Sequence, residues 1–228
     1  MRQSSRRVAY SKTLVKSRSK WAMSFVTAYF YDRFMARAEE ACLKQWRKEL
    51  LGHVSGDVLE IGAGTGANIS YYPDSVARLV LAEPDKHMRK QLKASVDSAG
   101  LKNIDISCSA AEQIDAEDES FDYVVASLVC CSLVDPDKGL SEIRRVLRPG
   151  GGFVFMEHVA AADGTSRRRW QDIINPVWRR LAGNCHLNRE TALAIDKAGF
   201  RIKQIKRESM RKAIPIVRPT IRGIAEKA

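Results

Sequence analysis

Residues 57–68 read DVLEIGAGTGAN, running from Asp57 through Glu60, Gly62, Ala63, Gly64 and Gly66 to Asn68. Val58, Leu59 and Ile61 make a short apolar run of the kind that forms a buried strand, and three alternate glycines end it. Glycine lets the backbone turn through left-handed conformations and lets a ligand approach without meeting a Cβ. The loop is expected to lead into a helix over 66–72. With Ala67 in the last place it nearly completes the G-x-G-x-x-G/A pattern of dinucleotide sites. On this stretch a nicotinamide dinucleotide and other adenosine-bearing ligands both stay open.

Outward from it, strand patterns and helix patterns alternate. Arg78–Glu83, Asn103–Cys108, Phe121–Leu128 and Gly152–Val159 read as further strands, with helices over 85–99 and 137–147 between them. Such alternation indicates βαβ units and a mainly parallel sheet. Thr191–Ala198 reads as a helix stopped by Gly199. Arg201–Arg207 and Ile214–Ala225 then form an expected antiparallel pair of late strands. Upstream, Trp21, Phe25, Tyr29, Phe30, Phe34, Ala38, Ala41 and Trp46 fall at spacings that suit amphipathic helices over 21–50. The expected organisation is a basic tail over 1–20, a helical segment over 21–50 and an α/β domain over 51–228.

With 228 residues, 45% apolar and 29% charged, the chain suits one globular domain with appended helices. Seven of its basic residues and no acid lie in residues 1–20, which leaves +4 of the net +11 for the rest. That tail suits a solvated arm, an organelle transit segment or contact with an anionic membrane surface. It lacks the continuous apolar stretch of a secretory signal, and the run Tyr123–Val134 is too short for a membrane span. Five cysteines, with no C-x-x-C spacing, are expected as free thiols inside a cell, and no metal-ligand cluster is expected. The expected location is cytoplasmic or peripheral to a membrane.

Three further segments narrow the ligand. Glu83 ends the second strand, where a carboxylate can accept both hydroxyls of a ribose. Ser120, Phe121 and Asp122 lead into the fourth strand, and Arg145 to Gly151 closes the following helix with Pro149, Gly150 and Gly151. In this order and spacing, with the glycine loop, they resemble the class I S-adenosylmethionine-dependent methyltransferases over roughly residues 45–228. The resemblance implies a Rossmann-like, seven-stranded, mainly parallel sheet with an antiparallel last hairpin. It implies S-adenosyl-L-methionine as cofactor, across the C-terminal ends of the first strands. Glu60, Gly62, Ala63, Gly64 and Gly66 would border its methionine and ribose parts, Glu83 the ribose hydroxyls and Pro84 the adenine. Ala110, Ala111 and Glu112 fill the adenine-edge segment. Many relatives carry an Asp at the position of Ala110, which leaves backbone groups or Glu112 to substitute. Ser127 and Leu128 would face the sulfonium.

The stretch from Ser127 to Ser132 lacks the Asp/Asn-Pro-Pro-aromatic turn of nucleic-acid amino-methylating relatives, so a nucleic-acid substrate is not expected. A more specific resemblance is to the mammalian thiol methyltransferases of the methyltransferase-like type. It is carried by Gly64–Asn68, Leu128–Ser132, Arg145–Gly151, Phe155–Ala161, Asn175–Trp178, Cys185–Thr191, Arg218 and Pro219. Those relatives begin with a long apolar anchor where this chain is basic and polar. The resemblance implies a small-molecule thiol acceptor. Methylation of a quinone precursor, phenol or lipid-like acceptor is the alternative, and a non-catalytic adaptor is a third reading. His158 and Glu157, at the end of the fifth strand, are the candidate catalytic residues together with His186, since a histidine is the natural base near neutral pH. Trp170, Asn175 and Trp178 are expected in a lid over the substrate or, for the tryptophans above all, in helix packing, and Cys131 is expected to line the pocket or the core.

Overall fold

The structure, a computed structural model, describes residues 35–100 and 103–228. The expected tail over 1–20 and the aromatic stretch 21–34 lie outside the described residues. Seven strands form one sheet in the order β3-β2-β1-β4-β5-β7-β6. They are β1 (Gly56–Ile61), β2 (Val76–Ala82), β3 (Ile104–Ser107), β4 (Phe121–Ser127), β5 (Leu147–His158), β6 (Phe200–Ser209) and β7 (Pro219–Lys227). The helices are α1 (Lys44–Leu51), α2 (Lys86–Ala99), α3 (Pro136–Val146), α4 (Ser166–Leu181) and α5 (Thr191–Lys197). The first five strands pair in parallel, and β7 runs antiparallel between β5 and β6. The expected sheet, with its reversed last hairpin, is the observed one.

The sheet is covered on both faces because its strands are apolar on both. Leu59, Ile61, Val124, Ala126, Phe153 and Phe155 pack on one side with Leu140, Ile143 and Val146 of α3 and Ile195 of α5. Their strand neighbours Val58, Val125, Val154 and Met156 pack on the other with Leu43, Trp46, Leu50 and Leu92. This alternation is the two-residue period of a strand, used twice over. A π-helical turn, Glu39–Leu43, precedes α1. Arg222 of β7 ties α1 to the sheet, donating to Glu49 at 2.7 Å and lying over the Trp46 ring.

Strand order reverses at β1: β2 and β3 lie to one side, β4 and β5 to the other. Crevices at such reversals, beyond the C-terminal strand ends, are where open α/β sheets bind ligands. Ile61 is in register with Ala126, so the glycine loop and Ser127 leave the sheet side by side.

Local differences have local causes. The expected helix over 66–72 is a run of turns with one short 3-10 segment, Ile69–Tyr71. Pro73 disfavours helical backbone at Tyr72, which is extended at φ −73° and ψ 130°. The helix α4 runs for sixteen residues where the sequence pattern marks no element, because Pro176 in its interior weakens that pattern. The start of β5 lies at Leu147, because Pro149, Gly150 and Gly151 form a bulge within the strand instead of ending before it. Ile214 precedes a 3-10 turn, and β7 starts at Pro219. Among the described residues no helix is long and apolar enough to cross a membrane.

Candidate active site

The glycines of the loop serve different purposes. All three have positive φ: 58° at Gly62, 58° at Gly64 and 94° at Gly66. A Cβ on Gly62 would lie 2.6 Å from Val129 Cγ2, and one on Gly66 would lie 2.6 Å from Ile69 Cδ1. These two therefore permit close packing. A Cβ on Gly64 would meet no atom within 4 Å, so this backbone borders open space. Glu83, 7% exposed, reaches across from the end of β2. Its Oε2 accepts from the Gly64 N–H at 2.9 Å and its Oε1 from the Asp85 N–H at 2.8 Å. Burial pushes the Glu83 carboxyl up, against the pull of these two bonds. Pro84 is exposed beside it, and Asp85 caps α2 by accepting from His87 and Met88.

Glu60 sits at the centre of a buried network that sequence reasoning missed. Asn68 Nδ2 donates to Glu60 Oε1 at 2.9 Å and also lies 3.1 Å from Ser127 Oγ, while the Tyr72 hydroxyl donates to Glu60 Oε2 at 2.6 Å. Arg47 of α1 donates to Asn68 Oδ1 and, at 3.0 Å, to Glu39. Burial raises the Glu60 carboxyl to about 7, with Tyr72 and Asn68 opposing the shift. Asn68 was visible as the end of the loop motif, but nothing local marked Arg47 or Tyr72 as its companions.

Leu128, after β4, holds φ at 60°, a conformation uncommon for a residue with a side chain, and its N–H donates to Met156 O at 2.7 Å. The next three N–H groups converge on Glu157. Val129 and Cys130 donate to its Oε1 at 2.9 Å each, and Cys131 to its Oε2 at 3.3 Å. Glu157 is fully buried. Both oxygens of Glu157, a candidate catalytic residue from the sequence, are thus engaged in anchoring the turn after β4. The adenine-edge residues divide similarly. Ala111 is buried in the core, Ala110 pairs with Gln113, and Glu112 turns away to accept from the Val134 N–H at 2.7 Å. Through that hydrogen bond the Glu112 carboxylate braces two loops.

The loop between α4 and α5 is stitched onto the turn after β4. Asn184 Nδ2 donates to Ser132 O at 2.9 Å, the His186 N–H to Cys131 O at 2.8 Å, and Arg189 to Cys130 O at 2.5 Å. Asn175 Oδ1 accepts from the Leu187 N–H at 2.9 Å, so this residue fixes the loop. His158 Nε2 consequently lies 2.9 Å from Cys185 Sγ, and Trp178 Nε1 donates to the same sulfur at 3.3 Å. Cys131 Sγ joins them: the ligand-capable atoms of Cys131, His158 and Cys185 all lie within 4.8 Å of one another. These three side chains, far apart in the chain and without a metal-site spacing, carry donor atoms of kinds that could hold a metal ion. Burial works against protonation of His158, but Cys185 and Glu157 outweigh it and raise the imidazole pKa. The neighbouring Cys131 thiol and burial push the Cys185 thiol well up. The His186 ring, half-buried and lowered by burial and by Arg189, is not a member of the cluster. Trp170 is 58% exposed.

The open backbone at Gly64, the acid at the end of β2 and the buried acid at the end of β1 fit an adenosyl ligand with a cationic amino-acid end. Residues 59–155 match the family model described as a methyltransferase domain. The human thiol S-methyltransferase TMT1A is 37% identical over 209 residues, which cover 87% of this chain and 85% of that protein. The rat thiol S-methyltransferase TMT1B is 34% identical, covering 85% of this chain and 79% of its own. An S-adenosylmethionine-dependent methyltransferase from Thermotoga maritima, described as a possible histamine N-methyltransferase, superposes with a TM-score of 0.65 at 19% identity. That alignment covers 91% of this chain and 99% of that one, and it speaks for the fold alone. The chain belongs to the class I S-adenosylmethionine-dependent methyltransferases, in the family of the thiol S-methyltransferases TMT1A and TMT1B, and its methyl donor is S-adenosyl-L-methionine.

Proposed function

We propose that this methyltransferase acts on the sulfur of a small apolar thiol. The observation that carries the reading is the identity to thiol S-methyltransferases across 87% of the chain, which includes the β5 end and the loop that bears Cys185. On the donor side, Gly62, Ala63, Gly64 and Gly66 would border the donor with their backbone. Glu83 would bind the ribose hydroxyls through its remaining lone pairs, Pro84 and Ala111 would flank the adenine, and Glu60 would face the ammonium. Ser127 and Leu128 would direct the methyl toward the acceptor. The donor, when bound, supplies the electrophilic methyl, so the chain's own tasks are orientation, exclusion of water and delivery of a nucleophile.

An alkyl thiol has a pKa of about 8.5, against about 10 for a phenol, so a thiol needs less help to reach its nucleophilic form near neutral pH. In the metal-free protein His158 would give that help as a base, its Nε2 lying 2.9 Å from Cys185 Sγ. Mass-spectrometric detection of methylated products from a panel of thiols, quinols and phenols tests the reading. Turnover of thiols supports it; inert thiols beside a methylated quinol or phenol would overturn it. Residues 1–20, seven of them basic, are proposed to bring a cytoplasmic enzyme to anionic membrane surfaces.

A further inference from the structure

We propose that Cys131, His158 and Cys185 bind one thiophilic divalent cation of the zinc type and leave its fourth coordination position open. Two sulfurs and an imidazole nitrogen are the donor set such an ion selects. Tetrahedral zinc, with bonds of about 2.3 Å to sulfur and about 2.0 Å to nitrogen, holds its ligand atoms roughly 3.5 Å apart. Here the Nε2 to Sγ distance is 2.9 Å and all three atoms fall within 4.8 Å, so separations must change by roughly 0.5–1 Å, within the reach of side-chain χ rotations, to admit the ion.

Three independent devices hold the ligands in place. Cys131 sits in the turn that Glu157 anchors through three N–H groups. His158 is clamped at the end of β5 by its pairing with Thr220 of β7. Cys185 is fixed by the loop that Asn184, Asn175 and Arg189 tie down. Cys131 and His158 are 2% and 5% exposed, a dry setting in which a metal–thiolate bond is strong. The Trp178 indole N–H, 3.3 Å from Cys185 Sγ, is the outer donor that a coordinated thiolate takes. Two thiolates neutralise a divalent ion, and the protons they shed leave as it binds.

Two thiolates and one imidazole leave one position for an exogenous ligand, as in catalytic zinc sites. In a reading that rests on the thiol assignment above, an ion held by Cys131, His158 and Cys185 would supply Lewis acidity at that position, favouring loss of the acceptor thiol's proton and so its thiolate form. The sulfur lone pair forms the new carbon–sulfur bond as the methyl–sulfonium bond breaks, and neutral S-adenosylhomocysteine remains.

The full chain, reduced, stripped with chelator and titrated anaerobically with Co²⁺, tests the site. The expected result is one equivalent bound, with a near-ultraviolet thiolate-to-cobalt charge-transfer band that Zn²⁺ abolishes by displacement. Cys131→Ser and Cys185→Ser each lose the band while retaining S-adenosylmethionine binding. In the wild type, Zn²⁺ slows alkylation of Cys131 and Cys185 but leaves exposed Cys108 unprotected. Absence of the band in the wild type, a band that survives both substitutions, or a Cys131–Cys185 disulfide without metal binding overturns the proposal. The two readings fail separately. Thiols that turn over at full rate in stripped protein remove the metal from the reaction and keep the thiol assignment. Metal binding with inert thiols keeps the site and overturns the thiol assignment.

Discussion

The Gly64 N–H donates to Glu83 Oε2 at 2.9 Å, so the acid that ends β2 clamps the loop that follows β1. One carboxylate thus positions the loop, and in the proposed donor site its remaining lone pairs would accept from the ribose. Glu83→Ala should weaken S-adenosylmethionine binding by roughly 1.5–3 kcal/mol, the scale of hydrogen bonds to a charged group. Calorimetric titration measures it, and unchanged affinity would place the ribose elsewhere.

Gly62 and Gly64 should respond differently to the same substitution. Gly62→Ala drives a Cβ to 2.6 Å from Val129, so it lowers the melting temperature. Gly64→Ala meets nothing in the protein and costs about 1 kcal/mol for its left-handed backbone. Its main effect is loss of cofactor affinity, and Gly64→Val abolishes binding. Melting curves and titrations of the two alanine variants separate the roles. Equal thermal losses with intact binding in both would contradict the assignment.

Glu60 should make stability depend on pH and, if it faces the donor's ammonium as proposed, cofactor affinity as well. Burial raises its folded-state value from 4.5 to about 7, so between those values the folded protein keeps a proton that the unfolded chain releases. Its contribution to stability is therefore greatest at the acid end and falls as pH rises to about 7, by roughly 3 kcal/mol. Glu60→Gln should remove this slope in a denaturation series across that range. A cationic donor favours the ionised form, so affinity should rise with pH up to about 7 and then level off, and Glu60→Gln should flatten the profile. A wild-type affinity that is flat with pH would separate Glu60 from the donor's charge.

Glu157→Ala leaves the Val129, Cys130 and Cys131 N–H groups without their acceptor inside the protein. At about 1–3 kcal/mol for each unsatisfied buried donor, the expected loss is on the order of 3 kcal/mol or more. Glu157→Gln, which keeps one acceptor oxygen, should lose less. Urea denaturation is the measurement, and an alanine variant as stable as wild type would show that the turn stands without its anchor.

A chain starting at Trp21 should sediment less with anionic vesicles while keeping turnover on a soluble acceptor. Each of the seven basic residues contributes on the order of 1 kcal/mol near such a surface, less in salt. Vesicle binding that survives the truncation would move the contact to another part of the protein.

The amino-acid sequence by itself determined the strand and helix alternation, the glycine loop, Glu83 at the end of β2 and the antiparallel last hairpin. These are local facts: a two-residue period makes a strand, and backbone at positive φ calls for glycine. It misled where a local pattern competed with another constraint, as when Pro73 denied the glycine loop its helix or Pro176 disguised α4. Only the tertiary structure decided what the titratable side chains do. Glu157 stands next to His158 in sequence, yet successive strand residues point to opposite faces, and one anchors a turn while the other meets a thiol. Arg47, Asn68 and Tyr72 gather around Glu60, and Cys131 and Cys185 around His158, only because strand register and loop crossings bring distant segments together. No period in the chain encodes such a meeting, because it depends on where several separately folded segments end in space.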